Sequence, residues 1–221
     1  MILAYRVLTT FLYPFLIILV YFRKFLKKED PKRFKEKIFT SHFGTAENSN
    51  FRLAWFHAAS IGELKSIIPI INQLNHVHKN FRFLVTTSTF SSGKIADLEL
   101  KKFNNVLHRY CPFDVPFLID SFLNTWKPNK ILLVDSEIWP NLILKAEKYG
   151  IPIALINARL TSKSFNKWMI FPNMAKKIFG IFDLFICANI DTKKKFEILK
   201  LKNIHYKGNL KLIDHIDEKK I

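Results

Sequence analysis

The sequence predicts an α/β protein: a Rossmann-like, mostly parallel sheet with helices on both faces, preceded by a hydrophobic membrane-anchor helix. Three observations predict it. Short apolar runs alternate along the chain with longer amphipathic stretches, the pattern of strands joined by crossover helices. Polar and ionisable residues gather just after the apolar runs, at what become the carboxyl ends of parallel strands, where open α/β sheets bind their ligands. The amino terminus is apolar and is followed by a dense run of lysines and arginines.

Residues 7–22 carry no charge, and with residues 1–5 they approach the ~20 residues that span a bilayer. Arg6 can snorkel near one end, and Pro14 is tolerable in such a helix. Arg23, Lys24, Lys27, Lys28, Lys32, Arg33, Lys35 and Lys37 follow. That run places the next domain on the cytoplasmic side and grips anionic headgroups. No small-residue cleavage site follows, which argues against a signal peptide. A helix lying in the interface is the remaining alternative. The expected organisation is an anchor with its basic flank over 1–28, a linker with a short helix near 32–38 over 29–50, a Rossmann-like domain over 51–211, and a hinge or tail over 212–221.

Strands are expected at 53–57, 81–86, 105–110, 130–134, 152–156, 183–187 and 203–206. Helices are expected at 63–78, 91–102, 115–126, 139–149, 162–178 and 191–199. The first helix is the clearest, with Leu64, Ile67, Ile68, Ile71 and Leu74 on one face.

The formal net charge of +17 favours an anionic partner such as a membrane surface, a phosphorylated substrate or a nucleic acid. A lysine-rich composition spread over every surface gives the same number. No RNA-recognition or helix-turn-helix signature accompanies the charge, so nucleic acid is not the expected partner. The two cysteines, Cys111 and Cys187, lie far apart and fit reduced thiols of a cytosolic domain. There is no G-x-G-x-x-G, no Walker loop and no metal-ligand cluster, so no metal or bound cofactor is expected.

The polar groups fall strand by strand. His57, Ser60, Gly62 and Glu63 follow the first strand, and Thr86–Thr89 with Gly93 follow the second. Cys111 to Pro116 follow the third, Asp135 to Asn141 the fourth, and Asn157 to Arg159 with Ser162 and Ser164 the fifth. Gly208 to Lys211 follow the last. Each also has a structural reading. Ser60 and Glu63 fit a capping box, Asp114 and Glu137 fit caps ahead of Pro116 and Pro140, and Trp139 fits the core. His57 fits a satisfied buried histidine, and the Thr/Ser run fits turn chemistry. Arg159 at a buried strand end calls for an anionic partner. Together they point to a site that handles a hydroxyl and an anion.

These segments carry a resemblance. The W-x-H-A-x-S-x-G-E stretch from Trp55 to Glu63, Thr86–Thr89, Asp114-Val115-Pro116, Glu137-Ile138-Trp139-Pro140-Asn141, Asn157-Ala158-Arg159-Leu160 with Ser164, and Gly208-Asn209-Leu210-Lys211 stand in order and register. The chain resembles the amino-terminal half of the 3-deoxy-D-manno-octulosonic acid (Kdo) transferases, which act on the lipid A precursor of lipopolysaccharide. The resemblance implies one half of a GT-B fold at the cytoplasmic face of the inner membrane. It implies CMP-Kdo as donor substrate, inversion at the anomeric carbon, no catalytic metal, and Glu63 as the base that deprotonates the acceptor hydroxyl. Glu137 matches a second important glutamate. Ser60, Gly62, Glu137, Asn157 and Arg159 are the expected substrate-binding residues. Family members continue with a second, donor-binding domain. Here the sequence stops at Ile221, just past the Gly-Asn-x-Lys segment. That leaves a separate carboxy-terminal domain as one expected partner and a non-catalytic acceptor-binding half as the rival reading.

Overall fold

The computed structural model describes residues 1–45, 51–78 and 80–210. The end of the expected linker, Lys211 and the expected tail over 212–221 lie outside the described residues.

The amino terminus forms two helices, α1 (Ile2–Phe11) and α2 (Tyr13–Phe25). They meet at a bend of 51°, and no single helix among the described residues is long and apolar enough to cross a membrane. This corrects the expected single anchor helix. Pro14, in the first turn of α2, has no N–H to donate, and its ring crowds the carbonyl one turn earlier, so the helix breaks at Leu12. Both pieces then dock on the body. The Tyr5 hydroxyl donates to Asp114 at 2.9 Å and the Tyr13 hydroxyl to the Ile38 carbonyl at 2.6 Å. Val20 is fully buried with Phe34 and Ile38, and Tyr21 meets Phe34 edge to face.

The expected short helix is a single 3₁₀ turn, Phe34–Lys37. From there the chain alternates β1 (Arg52–His57), α3 (Ile61–Val77), β2 (Phe81–Thr87), α4 (Phe90–Glu99), β3 (Val106–Tyr110) and α5 (Pro116–Trp126). It continues with β4 (Lys130–Val134), α6 (Pro140–Lys148), β5 (Ile153–Ala158), α7 (Ser162–Met169), α8 (Pro172–Phe179), β6 (Leu184–Cys187), α9 (Ile190–Ile198) and β7 (Ile204–Tyr206). The helix expected over 162–178 is two helices, because Pro172 cannot continue α7 and instead starts α8.

All seven strands run parallel, in the order β3-β2-β1-β4-β5-β6-β7. Alternation along each strand divides the core between two faces. Trp55, Ile131, Leu133, Leu155 and Phe185 face one core with Phe122, Leu142 and Phe179 from the helices. Phe56, Phe83, Val85, Val134 and Ile156 face the other with Leu64, Ile67 and Ile71 of α3. The chain winds outward from β1 to β3, then crosses back to lay β4 on the other side of β1. The strand order therefore reverses between β1 and β4, and a crevice opens there at the carboxyl ends.

Candidate active site

The two acids singled out in the sequence stand on the two loops that flank this reversal. His57 ends β1, and α3 starts at Ile61 with Ser60 as its N-cap. Glu63 lies in the first turn of α3 and is 9% exposed. Its carboxylate accepts the Ala59 N–H at 2.8 Å and the Ser60 hydroxyl at 2.7 Å, while the Glu63 N–H points back at Ser60 Oγ at 3.4 Å. The Ser60 half of the expected capping box is present, but the Glu63 side chain reaches one residue further back, to the Ala59 N–H rather than that of Ser60. Gly62, beside it, is exposed.

A carboxylate in a helix's first turn is ordinarily stabilised as the anion. Glu63 is displaced the other way. Burial raises its pKa, the Ser60 and Ala59 hydrogen bonds oppose that, and the negative charges of Glu137 and Asp135 add to it. Its proton affinity is therefore higher than that of an ordinary glutamate, as a general base requires.

Glu137 follows β4. The Trp139 indole N–H donates to its Oε2 at 2.6 Å, and His57 Nε2 stands 3.5 Å from the same oxygen. Burial raises the Glu137 pKa, but the His57 ring and the Trp139 hydrogen bond outweigh it, so Glu137 lies below the usual carboxylate value. Glu137 does not cap α6. Asp114 does so from the end of β3, accepting the N–H groups of Asn141 and Leu142. The expected local caps by Asp114 on α5 and by Glu137 on α6 are thereby replaced by one cap reaching across the rim.

Asp135 adopts a left-handed backbone, φ 65°, and carries its carbonyl to the Arg159 N–H at 3.0 Å. The Arg159 guanidinium Nε lies 3.6 Å from Asp135 Oδ2. Asp135 thus supplies the anion that a buried-strand-end arginine calls for. Asn157 is fully buried with φ 52°; its Oδ1 accepts the Leu210 N–H at 3.0 Å, and its Nδ2 has no hydrogen-bond partner. It ties the 208–210 segment to the rim and leaves one donor unused.

Thr89 caps α4 in a reciprocal box with Ser92, which is the turn chemistry its sequence suggests. Thr86 is different: its hydroxyl oxygen takes the Trp55 indole N–H at 2.8 Å and lies 2.9 Å from His57 Nδ1. Lys37, buried against Glu29, donates to the Ser88 carbonyl at 2.7 Å and so fastens the 29–37 segment to the rim. The sequence places Asp135 on the rim without naming its partner, and it assigns Lys37 to the basic run that meets headgroups, whereas Lys37 is buried and paired inside the protein. Both have partners remote in sequence, which no local spacing reveals. Trp139 is read from sequence as core; the Glu-x-Trp spacing that sets it on Glu137 was a usable signal.

Among the described residues no group of three or more His, Cys, Asp or Glu side chains is placed to hold a metal. The rim presents the carboxylates of Glu63, Asp135 and Glu137, the imidazole of His57 and the guanidinium of Arg159.

A doubly wound parallel domain with two acids flanking its switch point belongs to the class of α/β domains whose ligands bind outside the strands' carboxyl ends. The comparison with known families narrows this class. Residues 32–213 match the 3-deoxy-D-manno-octulosonic-acid transferase (kdotransferase) family, and the chain belongs to that family of glycosyltransferases. It is 34% identical over 216 residues to the probable mitochondrial 3-deoxy-D-manno-octulosonic acid transferase of Arabidopsis thaliana, covering 95% of this chain and 46% of that one. It is 32% identical over 207 residues to the 3-deoxy-D-manno-octulosonic acid transferase of Rickettsia bellii, covering 94% and 48%. The chain thus spans about half the length of the relatives it matches. Among solved structures, the UDP-GlcNAc 2-epimerase of Neisseria meningitidis bound to UDP-GlcNAc superposes with a TM-score of 0.52 at 17% identity, covering 72% of this chain and 47% of that one. At that identity the likeness is one of fold.

Proposed function

We propose that this chain is the acceptor-side half of an inverting glycosyltransferase that moves Kdo from CMP-Kdo to the lipid A precursor, with Glu63 as general base. The observation that carries this reading is the placement of Glu63: buried in the first turn of α3 at the strand reversal, with its pKa raised by burial and by the charge of Glu137 across the switch point. A sugar hydroxyl is a poor nucleophile until its proton is removed. Glu63 takes that proton as the oxygen attacks the anomeric carbon. Attack from the face opposite the departing CMP inverts the configuration. Arg159 and the unused Asn157 Nδ2 are the rim's donors for anionic or polar groups of the substrates. Ser60 holds the Glu63 carboxylate in place, and Gly62 keeps the approach to it open.

A membrane surface is the proposed location. The outward side of α1 and α2 carries Leu3, Val7, Phe11, Phe15, Ile18, Phe22 and Phe25, each more than half exposed. Arg23, Lys24, Lys27 and Lys28 follow, placed to meet anionic headgroups. Since the inward sides of both helices are docked on the domain, the pair fits a position in the interface, apolar face down.

The test is Kdo transfer from CMP-Kdo to a tetraacylated lipid A precursor in detergent, with the chain supplied alone and together with a carboxy-terminal half. Transfer restored only by the second half, and lost in Glu63→Ala, is the expected result. No transfer by either combination of folded protein overturns the catalytic reading and leaves acceptor binding.

A further inference from the structure

Among the buried ionisable groups on the rim, His57 has the clearest geometry and no assigned task. We propose that His57 is a positioning residue: as an imidazolium it holds Glu137 as a carboxylate beside Glu63, and that fixed negative charge keeps Glu63 a proton acceptor. The proposal rests on the reading of Glu63 as the base.

The geometry is a chain of contacts across strand ends. His57 is completely buried. On one side its Nδ1 lies 2.9 Å from Thr86 Oγ1, and that oxygen accepts the indole N–H of the fully buried Trp55. The Thr86 hydroxyl has one proton, and the Phe56 carbonyl lies 3.5 Å away to take it. Thr86 can therefore accept from Nδ1–H as well as from Trp55. On the other side Nε2 faces Glu137 Oε2 at 3.5 Å and has no other hydrogen-bond partner. At that distance the contact is an ion pair rather than a hydrogen bond. Trp139 braces both members: its N–H binds Glu137 Oε2, and its ring meets the imidazole edge to face, 5.1 Å between centroids at 81°.

The electrostatics agree. Burial disfavours a charged His57, but the Cys111 sulfur and the Glu137 carboxylate beside it prevail and raise its pKa well above 6.5. The groups that face His57 are Thr86 from β2, Cys111 from the turn after β3, and Glu137 and Trp139 from the loop after β4. Those that act on Glu63 are Ser60 and Ala59 on its own turn, and Glu137 and Asp135 from across the switch point. Removing either member of a buried pair strands the other charge, which then neutralises. Without the imidazolium Glu137 gains a proton more readily, and Glu63 loses one of the charges that, after burial, raise its pKa.

The experiment is NMR on the chain with ¹⁵N-labelled histidine and ¹³C-carboxyl-labelled glutamate, so it does not depend on turnover. At pH 7 both His57 ring nitrogens are expected to carry protons, and Glu137→Gln is expected to render the ring neutral. In both Glu137→Gln and His57→Gln the Glu63 titration midpoint is expected to fall by about 0.5–1 pH unit. Trp139→Phe, which leaves the buried pair intact, serves if either variant fails to fold. It is expected to raise the Glu137 midpoint while His57 stays doubly protonated. A neutral His57 at pH 7 in the unmodified chain, or a Glu63 midpoint indifferent to Glu137, overturns the proposal. A transfer assay indifferent to Glu63 instead overturns the reading of Glu63 as base and leaves these titrations standing.

Discussion

Asp114 at the end of β3 accepts the backbone N–H groups of Asn141 and Leu142, both at 2.9 Å, and so caps α6 from a different loop. The same carboxylate receives the Tyr5 hydroxyl, and the Asn141 amide donates to Thr9 at 3.2 Å. One half-buried acid thus joins α1 to the rim helix that follows Glu137. Asp114→Ala removes the cap and leaves buried N–H groups unmet; it is expected to cost about 2 kcal/mol of unfolding free energy. Urea unfolding measures it, with a lower midpoint at unchanged slope as the sign of a local loss.

Gly93, in the second turn of α4, is pressed against Tyr110. A β-carbon there meets the Tyr110 hydroxyl oxygen at 2.1 Å and its ring carbon Cζ at 2.5 Å. Tyr110 is fully buried and cannot swing aside. Gly93→Ala is expected to destabilise the chain by roughly 1–3 kcal/mol, read as a lowered thermal midpoint. A midpoint equal to that of the unmodified chain shows that α4 shifts freely and refutes the close packing.

The His57–Glu137 pair predicts a bell-shaped pH dependence of stability. Glu137 is held below the ordinary glutamate value of 4.5, against burial, by His57 and Trp139, so its contribution is present above that pH and is lost on acidification. His57 is raised above 6.5, so its contribution is complete below 6.5 and fades as pH rises toward the folded-state value. The stability gap between the unmodified chain and Glu137→Gln is therefore widest between these two values. Unfolding curves at a series of pH values give the gap directly; a gap that is flat with pH contradicts the pair.

The apolar outer side of α1 and α2 predicts interfacial binding. Replacing Phe11 and Phe22, 70% and 58% exposed, by Asp puts charge where the bilayer is expected. Sedimentation with anionic vesicles is expected to drop at least tenfold, while the thermal midpoint stays within a degree or two because neither side chain supports the core. Undiminished vesicle binding refutes this face as the docking surface.

Much of this arrangement was legible in the sequence where its cause is local. The strands, the Ser60 cap of α3 and the face of α3 from Leu64 to Leu74 are set by residues a few positions apart, and the structure shows each; the reciprocal Glu63 bond goes to Ala59 in place of Ser60. Arg159 needed an anion, and the structure supplies Asp135. What stayed hidden depends on folding at a distance. Nothing near Asp114 says that it caps α6, because the partner N–H groups lie 27 and 28 residues away. The unbroken apolar run up to Phe22 reads as one helix; the break follows from Pro14 together with docking contacts from Tyr5, Tyr13 and Val20. His57 could be read as a core histidine because its depth is visible in the sequence and its partner Glu137, across the strand reversal, is not.

The central claim is that Glu63 is the base, and its capping role is what must be separated from it. Glu63→Gln keeps a carbonyl oxygen for the Ala59 N–H and reverses the Ser60 contact, its amide NH2 donating to the hydroxyl oxygen, so the first turn stays tied down while the proton acceptor is lost. The decisive measurement is the initial rate of Kdo transfer by this variant and by the unmodified chain, each combined with a carboxy-terminal half and matched for thermal midpoint. A fall of about 10²–10⁴-fold in Glu63→Gln is the predicted result. A rate within a few-fold of the unmodified protein would mean that Glu63 only caps α3, and that the acceptor proton leaves by another route.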